Sequence, residues 1–365
     1  MADQSRPTDL LWKEDWASAR QHHTDWWRQQ GLVLWVTAPR VVPALDLPPP
    51  PAPKTLEERW FDPQWRLRTH EYHMSRCYYG GDAFPLFPCI SAAGDLGAYL
   101  GCGLRLSNET VWCDPCIADP PEAHPPIRLD RQSWAFQQHL AMVELATRES
   151  HGRWLVMPPD LVENIDILSA LRGPQTLLFD LVDRPEWVEQ KMVEVNQAFF
   201  AAFDAFAGIV RDGHGGNGFI FSIWGPGRTA KVQCDACAMF GPAMFRRFVA
   251  PALTQQCAWL DYALYHLDGE DCLVNLDELL AIEPLEAIEW TPRRLSVGDS
   301  GGHPRHWELY RRILAAGKSV QAVGVRYDEV IPLLDAVGGK GLFITTSAPT
   351  EDKARELAAR VATYR

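Results

Sequence analysis

Eight short apolar runs, each bounded by turn residues or a helix, recur along the chain. They are LVLWVTAP (32–39), AFPLFPCI (83–90), RWLVMPPDL (153–161), GFIFSIW (218–224), ALYHLDG (263–269), EAIEW (286–290), SVQAVGV (319–325) and GLFITT (341–346). Helical patterns such as GPAMFRRFVAPALTQQCAWLDY and HWELYRRILAAGK lie between most of them. Short buried strands that alternate with helices pair in parallel, because each crossover returns the chain to the same end of the sheet. Eight such units are the number that closes a (β/α)8 TIM barrel. A doubly wound open sheet is the competing arrangement. The absence of a GxGxxG or GxxxxGKS/T phosphate loop favours the barrel. Ahead of the first run, LLWKEDWASARQHHTDWWRQQ reads as an amphipathic helix ended by Gly31. The expected fold is therefore α/β, a (β/α)8 barrel with an N-terminal helical extension. Residues 41–54, VVPALDLPPPPAPK, form an extended surface segment, because proline removes donors and fixes φ. Residues 1–74 hold the helix, the first strand and this loop, and 75–365 hold the barrel proper, together as one structural domain.

With 365 residues the chain suits one large barrel or two ordinary domains. A formal net charge of -12 argues against sequence-independent nucleic-acid binding, which needs a basic surface to displace counterions. No run of 18 apolar residues and no apolar leader is readable, so a cytoplasmic chain without a membrane partner is expected. Nine cysteines then read as mostly reduced thiols. Fifteen tryptophans are unusual, and most read as core packing. Trp224 and Trp290, at predicted strand ends, read as walls of a substrate pocket.

In a barrel, function collects where strands end at their C-terminal side. Asp160 ends the third run, with Glu163, Asn164 and Asp166 just beyond. The fourth ends at Trp224-Gly225 and leads on to Gln233, Cys234 and Asp235. The fifth supplies His266 and Asp268, the sixth Glu289, the seventh Gln321. His266 and Asp268 are two apart, so on a strand they face the same side. A histidine and an acid converging there can ligate a metal or act as base and orienter, and Glu289 arrives on the neighbouring strand. The bland reading is a histidine hydrogen-bonded to an acid in a polar barrel mouth. Asp268, His266, Glu289, Asp235 and Asp160 are the catalytic candidates, and His266, Asp268 and Glu289 the candidate metal ligands. Trp224, Gln233, Cys234, Trp290, Arg293 and Gln321 are the candidate substrate contacts. Arg293, with Arg294, suits a substrate carboxylate or phosphate. The pairs Cys113–Cys116 and Cys234–Cys237 are over a hundred residues apart, too far for a zinc-site spacing, and read as ordinary thiols.

Several of these stretches resemble the uroporphyrinogen decarboxylase superfamily and the cobalamin (corrinoid) methyltransferases related to it, over roughly residues 75–365. QCDACAMFGP followed by MFRRFVAPAL is similar to that group's Q-x-F-D-S-x-A-G-x-L-S-P leading into F-x-E-F-V-x-P-x-L. YHLDG resembles its H-x-C-G or H-x-D-G strand, and AIEW its x-x-D-W. SVQAVGVRYDEVIPLL resembles x-Q-G-N-x-D-P-x-x-L, and GLFITTSAPTEDKARELAARV its last strand and helix. The resemblance implies a (β/α)8 barrel. The R-Q-A-G-R segment that grips substrate carboxylates in the decarboxylases is absent here. Pro88-Cys89-Ile90 stands where they carry a pyrrole-binding aspartate, so uroporphyrinogen is not the expected substrate. The methyltransferases hold zinc with H-x-C and a later cysteine. Here His266 matches the histidine, Asp268 replaces the first cysteine, and no cysteine follows Cys272. What the resemblance leaves is a harder nitrogen–oxygen site of His266 with Asp268 and Glu289.

The expected activity is methyl or one-carbon transfer on a small polar substrate, assisted by a divalent metal such as zinc, or with a corrinoid carried on a partner protein. A cofactor-free decarboxylase or lyase is the alternative, with Asp235 or Asp268 protonating a carbanion. A carbohydrate-active hydrolase with paired carboxylates and a non-catalytic binding protein are further readings. The sequence does not fix the oligomer, and a homodimer is one reading of it.

Overall fold

The computed structural model describes residues 8–91, 94–292 and 299–365. The strands in chain order are β1 (Val33–Pro39), β2 (Cys77–Gly81), β3 (Leu86–Phe87), β4 (Gly103–Leu106), β5 (Val111–Asp114) and β6 (Leu155–Val156). They continue with β7 (Asn217–Phe219), β8 (Ile223–Gly225), β9 (Thr229–Gln233), β10 (Tyr262–Asp268), β11 (Ala287–Thr291), β12 (Ser319–Ala322) and β13 (Leu342–Ser347). Helices separate most of the later strands, so the architecture is alternating α/β. The central sheet has seven strands in the order β2-β1-β13-β12-β11-β10-β9. All its pairs are parallel except β1–β2, which is antiparallel.

The expected closed barrel is not what the hydrogen bonding gives: among the described residues no sheet closes into a ring. The physical reason lies in three of the eight runs. The second and third are punctuated by Pro85, Pro88, Pro158 and Pro159, which cannot donate to a ladder. They keep only the two-residue strands β3 and β6, which pair with each other in a separate parallel sheet. The fourth run, GFIFSIW, does not cross the fold as one strand. It turns back on itself as the antiparallel hairpin β7–β8. The strand that flanks β10 is β9, TAKVQ, fully buried along its length and not among the eight predicted runs.

The N-terminal helix Trp16–Trp27 covers the N-terminal ends of the strands. Trp26 Nε1 donates to the Gly341 carbonyl at 3.0 Å, and Trp27 Nε1 to that of Trp224 at 2.9 Å. The helix Pro185–Val210 is long and apolar enough to cross a membrane by length and composition. Here it packs Val188, Phe199, Phe203 and Phe206 into the core, all four fully buried.

Candidate functional site

Parallel strands in register present one rung of side chains to one side of the sheet. One such rung runs Gln233, His266, Glu289, Gln321 across β9, β10, β11 and β12. It is polar at every position, under a sheet whose neighbouring rungs are largely apolar. Two residues further on come Asp268, the last residue of β10, and Asp235, in the short 3-10 turn Asp235–Met239 that follows β9, at the C-terminal mouth. One ligand atom each from Asp235, His266 and Asp268 lies within 4.8 Å of the other two. The two aspartates are exposed and His266 is half-buried.

His266 Nδ1 donates to Glu289 Oε2. The other Glu289 oxygen accepts from the Thr291 hydroxyl at 2.6 Å. Glu289 is fully buried with both oxygens engaged. It therefore stands behind the histidine, and Asp235 rather than Glu289 completes the cluster with His266 and Asp268. Burial by itself lowers the His266 pKa. The hydrogen bond to Glu289 and its charge outweigh that, and the net direction is up. The Asp235 carboxyl opens toward the mouth, yet desolvation by the surrounding protein, then the Asp166 charge, push its pKa up to about 6. His266 and Lys231 offset part of that rise.

Asp166, in the first turn of the helix Asn164–Arg172, holds this loop in place. Its carboxylate accepts from the Asp235 and Ala236 backbone amides at 2.8 and 2.9 Å and from Gln233 Nε2 at 3.2 Å. Gln233 Nε2 also donates to Asp235 at 2.9 Å. Below, Lys231 Nζ pairs with Asp160 at 2.8 Å, both almost fully buried. Burial works against the Lys231 charge, but Asp160 and Glu163 more than compensate and its pKa rises. Glu163 accepts from the Gln233 amide at 2.5 Å. Its burial drives its pKa well above the carboxylate range, with Lys231 offsetting only part.

The predicted site residues divide accordingly. Asp235, His266 and Asp268 converge, with Glu289, Gln233 and Gln321 in the supporting rung. Asp160 is spent on Lys231 in the interior. Cys234 is buried, and burial pushes its thiol up to about 11. Two tryptophans are corrected. Trp224 begins the hairpin's return to the N-terminal end, where it packs against Trp16 and Phe84 and donates to Asp212 at 2.8 Å. Trp290 alternates with Glu289, so it points to the opposite face and donates to His306 at 3.1 Å. Arg293 and Arg294 lie outside the described residues.

Two contributors, Lys231 and Phe221, are absent from the sequence reading, and Asp166, named there, is given no role. Lys231 in the sequence is an ordinary charge, because only its place on the buried strand β9 turns it toward Asp160 and Glu163. Phe221, at the tip of the β7–β8 hairpin, stacks on the His266 ring with centroids 4.6 Å apart. Its carbonyl accepts from Gln321 Nε2 at 2.7 Å. Nothing in an apolar run marks which residue will be its tip.

No protein-family model and no curated protein matches the chain. Among solved structures it is similar to a methyltransferase from Methanosarcina mazei, with a TM-score of 0.62 at 9% identity, covering 95% of this chain and 99% of that one. A GH138 enzyme targeting pectin rhamnogalacturonan II aligns with a TM-score of 0.37 at 10% identity, over 87% of this chain and 34% of that one, which is too low to carry an argument. The first likeness is one of fold. The chain is thus an α/β protein similar in fold to that structure, with an Asp–His–Asp cluster at its strand ends that could hold a metal ion.

Proposed function

We propose that the chain is an enzyme that binds one divalent ion at Asp235, His266 and Asp268 and transfers a methyl or other one-carbon group on a small polar substrate at that mouth. The observation that carries the reading is the convergence of the three ligand atoms, with the histidine oriented from behind by Glu289. A ligating histidine commonly gives its second nitrogen to a carboxylate in this way. The donor set is hard to borderline, one nitrogen and two carboxylates, which fits zinc or a similar divalent ion better than a thiolate-seeking one. Such an ion supplies Lewis-acid polarisation of a substrate oxygen. The chain's own residues do the rest. Glu289 keeps His266 Nε2 aimed at the mouth, Asp166 and Gln233 hold Asp235, and Phe221 shields one face of the imidazole from water. The fold shared with a methyltransferase supports the reaction class, and a corrinoid-bearing partner protein is the methyl carrier in this reading.

A second reading has one specific observation in its favour. An Asp235 carboxyl pushed up to about 6 is suited to hand a proton to a carbanion without any metal, as a lyase would require.

Metal analysis of wild-type and Asp268→Ala protein separates the two. The expected result is about one ion per wild-type chain and occupancy at least ~10-fold lower in the variant, with the circular dichroism spectrum unchanged. Methylcobalamin supplies the activity probe, its visible spectrum reporting loss of the methyl group to an added thiol or amine. A wild-type chain that takes up no divalent ion at millimolar concentration removes the metal reading.

A further inference from the structure

The two C-x-x-C pairs never meet. Each closes instead on a third cysteine from elsewhere in the chain. Cys237 is in thiol contact with both Cys234 and Cys272 beneath the mouth, and all three are buried. Cys102 is in thiol contact with both Cys113 and Cys116, where the β4–β5 hairpin meets the short helix Asp95–Tyr99.

The outer trio is built around two glycines. A Cβ at Gly97 would sit 3.2 Å from the Cys113 sulfur and 3.7 Å from the Cys102 sulfur, so its absence makes room for both. A Cβ at Gly101, where φ is +112°, would lie 3.8 Å from the Cys116 sulfur. The strand register places Cys113 opposite Leu104, so the hairpin carries Cys113 back alongside the chain that leaves Cys102. Cys102 is buried, while Cys113 and Cys116 are half-buried and open to small solutes. The three sulfurs do not form a metal cage. Among the described residues only Asp235, His266 and Asp268 bring three ligand atoms within 4.8 Å of one another.

The chemistry of the two trios differs. The hydrogen bond with Cys102 pulls the Cys116 thiol down to about 7, against its partial burial, and lowers Cys113 in the same direction. Cys237 is driven up first by its hydrogen bond with Cys234, and Cys272 first by its hydrogen bond with Cys237, with burial raising both further. Thiolate, not thiol, is the nucleophile in disulfide exchange.

We propose that Cys102, Cys113 and Cys116 form a redox-active thiol site, in which a small-molecule disulfide converts two of the three into one intrachain disulfide with Cys102 as the shared partner. With oxidised glutathione as the oxidant, the Cys116 thiolate attacks one glutathione sulfur. A bond forms between them, the glutathione S–S bond breaks, and one glutathione leaves as thiolate. The proton lost from Cys102 goes to that thiolate. The Cys102 thiolate then attacks the Cys116 sulfur and expels the second glutathione, which takes up the proton Cys116 had released to solvent. Two protein thiols are oxidised, and one glutathione disulfide is reduced to two thiols. Attack through Cys113 follows the same balance.

The test uses the full chain, reduced, freed of reductant, incubated folded with oxidised glutathione, quenched by alkylation and mapped by peptide mass spectrometry. One disulfide is expected, Cys102 to Cys113 or Cys116, with the third thiol of the trio alkylated and Cys234, Cys237 and Cys272 reduced. At pH 7, Cys116 should alkylate at least ~10-fold faster than Cys237. In Cys102→Ser the intrachain disulfide should vanish and a glutathione adduct should persist on Cys116 or Cys113. The wild-type map decides alone if that variant does not fold. The proposal is overturned by an outer trio that stays reduced under these conditions, by a Cys113–Cys116 disulfide that survives Cys102→Ser, or by stoichiometric zinc released when the trio is alkylated.

Discussion

His266 can offer a metal only one of its nitrogens, because the other is committed to Glu289. In the proposed metal site the buried carboxylate would act through the ring rather than on the ion. Glu289→Gln keeps the shape and an acceptor but removes the charge that makes the imidazole a stronger donor to metal. Divalent-ion affinity is expected to fall by about 10–100-fold, measured by calorimetric titration, with the far-UV spectrum unchanged. An unaltered dissociation constant would show that Glu289 is only a filler. Other histidines contribute to acid sensitivity: burial lowers His23, His70, His139 and His306, and His23 is the simplest to test. His23 is completely buried between Phe84 and Phe343, and burial lowers its pKa to about 4 from the ordinary 6.5. Its folded-state pKa is depressed, so the unfolded chain binds the proton first as pH falls. The stability it permits is complete above pH 6.5 and is lost between there and about 4. His23→Phe removes this proton linkage, worth at most roughly 3 kcal/mol. The drop in unfolding free energy from pH 7 to pH 4.5, followed by urea denaturation, should shrink. An unchanged drop would place the acid sensitivity elsewhere.

At the scale of elements, the β7–β8 hairpin decides the shape of the site. Its tip bends through two consecutive left-handed residues that are not glycine, Phe221 and Ser222, each with φ at 63°. That conformation crowds Cβ against the backbone by roughly 1–2 kcal/mol per residue. Phe221 gains its stacking on His266 in return, while Ser222 makes no side-chain hydrogen bond among the described residues to offset it. Ser222→Gly is therefore expected to stabilise the protein by about 1 kcal/mol, after allowing for glycine's greater freedom when unfolded. Equilibrium urea unfolding measures this, and a destabilised variant would mean the serine side chain matters more than the backbone. From the sequence GFIFSIW reads as one buried strand, since apolarity alone does not separate a single strand from two short ones. Because the run folds back as a hairpin, the strand beside β10 is β9, which carries Lys231 and orients Gln233. The hairpin also moves Trp224 from the pocket to the opposite end of the fold.

At the scale of the whole molecule, the N-terminal helix is wedded to the sheet it covers. Trp26 is fully buried, packs against Phe343 and bonds to the Gly341 carbonyl. Trp26→Ala should cost about 3–5 kcal/mol, read as a lower denaturation midpoint, whereas a loss below 1 kcal/mol would mean the helix is an appendage. The alternation of apolar runs with helices, the N-terminal helix, and a polar mouth at His266, Asp268 and Asp235 were all determined by the sequence alone. These are local properties, set by periodicity and by what a strand end can expose. The open hydrogen-bonded sheet, the antiparallel β2, the inward or outward face of Glu289 and Trp290, and the pairing of each C-x-x-C with a third cysteine were decided only in the tertiary structure. They depend on register between strands distant in sequence, and a one-residue change in register or strand identity sends a side chain to the other face.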